Sequence, residues 1–90
     1  MPYISPHRRE ELDGVVGKVA STMQTFGFTS AGDMNYVITK LINSVLLDTV
    51  SYQNINEAVG VLECSKMELY RRVAVPYEDQ KKQLNGDVYQ

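Results

Sequence analysis

Apolar residues recur along this chain at intervals of three and four, the spacing that gathers side chains on one face of an α-helix. Leu12, Val15, Val16, Val19, Ala20, Met23 and Phe26 form the first such stripe. Met34, Val37, Ile38, Leu41, Ile42 and Val45 form the second, and Ile55, Ala58, Val59, Leu62, Leu69, Tyr70 and Val73 the third. Punctuation residues separate them. Ser5 supplies a capping oxygen and Pro6 suits the first helical position, where a missing N–H costs nothing. Gly27 is placed to end that helix, Ser30 or Asp33 to cap the next, and Pro76 to break or kink the third. The pattern predicts an extended arm over 1–5, helices over 6–26, 31–48 and 52–75, a short C-terminal helix over 76–85, and a tail over 86–90. This is an all-α chain, expected to close as a small three- to four-helix bundle with the Ile55 to Val73 stripe inside.

Three features sit awkwardly on those helices. Glu10, Gly14, Gly17 and Ser21 line up opposite the first apolar stripe, and two mid-helix glycines cost roughly 1 kcal/mol each relative to alanine. That line is either a groove of small residues open to a partner or an ordinary solvated face. Lys66 interrupts the third stripe, so its ammonium either snorkels outward or meets a carboxylate, with Glu63 one turn away. Leu46, Leu47, Val61 and Met67 fall outside the main stripes. One bundle face cannot bury them all.

Length turns that surplus into an expectation of self-association. A 90-residue chain is a single domain, and at this size folding hides only about 60–65% of the surface of the unfolded form. Disulfide or metal staples are not available to compensate, because Cys64 and His7 are the only residues of their kinds. A homo-oligomer is the remaining solution. Nine basic against eleven acidic residues give a net charge of −2, which offers no general attraction to nucleic acid or anionic membrane. Nucleic acid therefore ranks last among partners. Apolar runs such as Val45-Leu46-Leu47 fall far short of the roughly 20 residues needed to span a bilayer. The Met1 to Pro6 start lacks the pattern of a secretory leader, and a lone thiol suits a reducing cytoplasm.

Candidate chemistry is correspondingly narrow. Nucleophilic catalysis needs an oriented imidazole beside Ser or Cys, and His7 at a helix start is ill placed for it. Gly14-x-x-Gly17 lacks the Lys-Ser or Lys-Thr of a phosphate loop, and Glu78-Asp79 suits the first turn of a helix better than an acid/base site. A non-enzymatic protein without cofactor or metal is expected. Two clusters suit an anionic or nucleotide-like ligand, which asks for cations, a flat ring and edge-reading polar groups. Tyr36, Thr39, Lys40 and Asn43 share the reverse side of helix two. Tyr70, Arg71 and Arg72 close helix three, with Arg8 and Arg9 at the start of helix one. An oligomer can combine them between protomers. The competing reading makes the Tyr36 stripe a packing surface, with Arg71 and Arg72 serving the helix dipole and Glu68.

Several phrases carry a resemblance. Met1-Pro2-Tyr3-Ile4, Asn35-Tyr36-Val37-Ile38-Thr39, the run from Leu62 to Arg72, Pro76-Tyr77-Glu78-Asp79 and Asn85-Gly86-Asp87-Val88-Tyr89 together resemble a small bacteriophage and bacterial family of unknown function. The resemblance implies a cytoplasmic setting in a bacterial host and no particular reaction. With the two clusters, it leads to the expectation of an oligomer that sequesters a small phosphate-bearing signal. The alternative is an inhibitory or structural protein whose tyrosines dock on a host or phage protein.

Overall fold

The structure, a computed structural model, describes residues 2–27 and 30–89. It is all-helical, with no strand among the described residues: α1 spans Pro6–Thr25, α2 Ala31–Val45, α3 Tyr52–Leu69 and α4 Val75–Asn85. A π-helical turn, Tyr70–Ala74, joins α3 to α4. Two compact units divide the chain, Tyr3–Ala58 and the stretch that begins at Val59. The first holds α1, α2 and the start of α3.

Local chemistry sets the helix ends. Ser5 is extended and accepts from the Arg8 amide at 3.3 Å, while Pro6 opens the first turn. Gly27 follows α1 at φ 104°, a conformation that side chains with a Cβ resist, and its amide bonds the Gln24 carbonyl. α2 starts in a capping box: Asp33 N–H donates to Ser30 Oγ at 3.1 Å, and Ser30 N–H to Asp33 Oδ2 at 3.3 Å. It stops at Val45, short of the expected residue 48, because Leu46 and Leu47 both turn their amides onto the Ile42 carbonyl. Ser51 then caps α3 through the Asn54 amide, and Asn54 Nδ2 holds the Thr49 carbonyl at 2.6 Å.

The expected break at Pro76 takes another form. The proline has no N–H to offer the Arg72 carbonyl and its ring needs room there, so the preceding turn widens. Val75 N–H reaches back five residues to the Tyr70 carbonyl, and the backbone stays helical from Leu69 through Val75. Pro76 thus sits in the first turn of α4, which ends where Gly86 (φ 90°) donates to Lys82.

Ala58, at 5% exposure, is the only buried residue among those described. Met23, Val37 and Ile42 are half-buried, whereas Val15, Val16, Leu41 and Val45 are exposed. In the third stripe Ala58 is buried, whereas Val59, Leu62, Leu69 and Val73 are exposed.

Candidate functional site

α2 carries the first cluster on one exposed face, since residues three and four apart stack on a helix surface. Tyr36, Thr39, Lys40 and Asn43 are all exposed there. Lys40 Nζ lies 5.9 Å from the centroid of the Tyr36 ring, within cation–π range. The ring and the ammonium are therefore already neighbours in the free chain.

Beside this face, α1 and α2 flank an open groove of about 550 Å³. Its α1 wall is Lys18, Val19, Thr22, Met23 and Phe26, and its α2 wall is Asp33, Tyr36 and Val37. The volume falls in the range of small-molecule sites, and the wall has their usual makeup, apolar with a few polar groups. Phe26 and Tyr36 offer aromatic faces, Thr22 a hydroxyl and Lys18 a cation. No ion pair engages Lys18 among the described residues, while Asp33 is committed to the α2 capping box. Sequence reasoning assigned Met23, Phe26 and Val37 to a core and passed over Lys18 and Thr22. The available signal was weak: Lys18 and Thr22 lie one turn apart, beside the apolar stripe of α1.

The other expected cations are differently occupied. Arg8 Nη1 meets Glu11 Oε2 at 2.9 Å, and His7 approaches the same carboxylate at 3.3 Å. Arg9 shares that helix start, about 20 Å along α1 from Thr22 at 1.5 Å per residue. A small ligand in the groove cannot touch both from one chain. In the second unit, Arg71 Nη2 forks onto both oxygens of Glu68 at 3.0 and 3.2 Å. Tyr70, Arg71 and Arg72 all lie in the π turn.

A second open groove runs along the end of α4 and the tail, from Glu78 to Tyr89. Glu78, Asp79 and Asp87 offset Lys81 and Lys82 there, and Lys81 already covers the Tyr77 ring at 5.5 Å. That balance does not favour an anion. No group of three His, Cys, Asp or Glu side chains among the described residues is arranged to hold a metal, and no helix among them is long and apolar enough to cross a membrane.

Fold and groove together define an all-helical chain with exposed apolar side chains and an aromatic, lysine-edged cleft between its first two helices. Over residues 1–88 the sequence matches the family described as Domain of unknown function (DUF6899), and the chain belongs to that family. No curated protein and no solved structure matches it.

Proposed function

We propose that this protein is a non-enzymatic, self-associating helical binding protein of phage type that sequesters a small phosphate-bearing, nucleotide-like ligand. The observation that carries the reading is the α1–α2 groove, where Tyr36 and Phe26 line an apolar cleft with Lys18 on its wall and Lys40 over the Tyr36 ring. A base stacks on aromatic faces with little regard to its identity, worth about 1–3 kcal/mol per base. A phosphate takes the two ammonium groups, and Thr22, Thr39 and Asn43 supply hydrogen bonds to sugar or base edges. Oligomerisation would bring further cations from other copies, Arg9 among them, and would bury apolar side chains such as Val59 and Leu62 that are exposed.

Calorimetry against cyclic nucleotides and ADP-ribose-type nucleotides tests this, followed by chromatography of the recovered ligand. Binding with release of unchanged ligand is expected. Tyr36→Ala and Lys18→Ala should each weaken binding about 10-fold or more, the loss of one stacked or charged contact of roughly 1.4 kcal/mol. Absence of binding at micromolar concentration overturns the proposal, and a chemically altered ligand would make the protein an enzyme.

The exposed apolar area also favours a second reading, an inhibitory or structural protein that docks on a host or phage protein through residues such as Phe26 and Tyr52. Retention of one defined bacterial protein, with no nucleotide bound, would select it.

A further inference from the structure

The exposed members of the third apolar stripe have a spacing that says what covers them. Along α3, Ile55, Val59, Leu62, Lys66 and Leu69 recur at alternating steps of four and three, the 3.5-residue repeat of a two-helix seam. Val59, Leu62 and Leu69 are 60%, 44% and 62% exposed. The only polar member is Lys66, whose Nζ pairs with Glu63 Oε1 of its own helix at 3.0 Å. A lone lysine in such a seam acts on register and orientation, because its charge must find a place in every alternative pairing.

We propose that α3 is the surface on which a second copy of this chain docks, antiparallel, about a two-fold axis at the level of Cys64. Three arguments fix the arrangement. Parallel, in-register pairing would set Lys66 against its own copy, two like charges at the centre of an apolar seam. The antiparallel register centred on residue 64 instead places Val59 opposite Leu69 and Leu62 opposite Lys66, each contact made twice by symmetry. In that register the two Lys66 and two Glu63 side chains meet beside the axis as a neutral quartet, so the ion pair within each helix gains a counterpart across the seam. Shifting either helix by one heptad step removes the carboxylate from the neighbourhood of the opposing lysine.

The π turn limits the seam. Its wider winding, from Tyr70, breaks the 3.5-residue register just after Leu69, so Ile55 of one copy lies beside the π turn of the other.

This proposal rests on the self-associating reading above, but its test is separate from that of the ligand. Sedimentation equilibrium and pulsed dipolar electron resonance use the full chain. The labelled form is Gln53→Cys with Cys64→Ser, a position outside the seam. The unmodified chain should sediment as a dimer or a multiple of it, with labels about 33 Å apart along the axis at 1.5 Å per residue. Parallel helices would hold the labels within about 15 Å, given an interaxial distance of 8–10 Å. Lys66→Glu gathers four carboxylates at the axis and should weaken association at least 10-fold, and adding Glu63→Lys restores the quartet and the dimer. A monomeric chain, a short label distance, or assembly indifferent to Lys66→Glu would overturn the proposal. Nucleotide calorimetry reports on the α1–α2 groove in either case.

Discussion

Lys66 shows how much one residue's meaning depends on what lies opposite. Its side chain is exposed in the single chain, and its pair with Glu63 is a surface ion pair, a kind worth about 0.2–1 kcal/mol. The capping residues are simpler, since their partners lie within one turn. Ser30→Ala removes the acceptor of the Asp33 amide and should destabilise the fold by about 1 kcal/mol, read from a urea titration. Gly27→Ala places a Cβ on a backbone at φ 104°, with open space around it, so strain rather than collision sets the loss. It too should cost about 1 kcal/mol, measured the same way. Ser5, Pro6, Ser30, Asp33 and Gly27 were all legible in the sequence for the same reason: capping is an interaction between residues at most a few positions apart.

The helical elements follow from periodicity, but their junctions required the backbone. Pro76 announced a break, and the chain instead widens one turn and continues into α4. Sequence alone does not choose between these outcomes, because both relieve the ring's clash with the Arg72 carbonyl. The choice rests on five residues adopting the i to i−5 pattern together. Pro76→Ala removes the cause of the widening, so the turn should revert to α-helix. Amide exchange should then show a protected N–H at position 76, with stability rising by about 1 to 3 kcal/mol. The Gly14 and Gly17 face stays open, as a Cβ at either position would meet nothing within 4 Å.

For the whole molecule, the balance of burial decides the outcome. A helix as short as the 11-residue α4 is marginal alone in water, and in proteins tertiary packing of apolar faces supplies most helical stability. Among the described residues only Ala58 is buried, so on the self-associating reading that packing falls to the contact between copies. Helix content should therefore depend on concentration, with the 222 nm circular dichroism signal weakening as the chain is diluted through its association range. A signal constant down to nanomolar chain would show that the protomer is stable without a partner. The sequence by itself determined the helices, their caps and the surplus of apolar residues, because each is written in neighbours three or four positions apart. It also marked Tyr36 and Lys40 as companions for that reason. Only the tertiary structure decided that Ala58 is buried while Val59, Leu62, Leu69 and Val73 of the same stripe are exposed, and that Lys18, Thr22 and Phe26 share a groove with Tyr36 and Val37. Those facts depend on how separate helices approach one another, which involves residues far apart in the chain and leaves no local period to read.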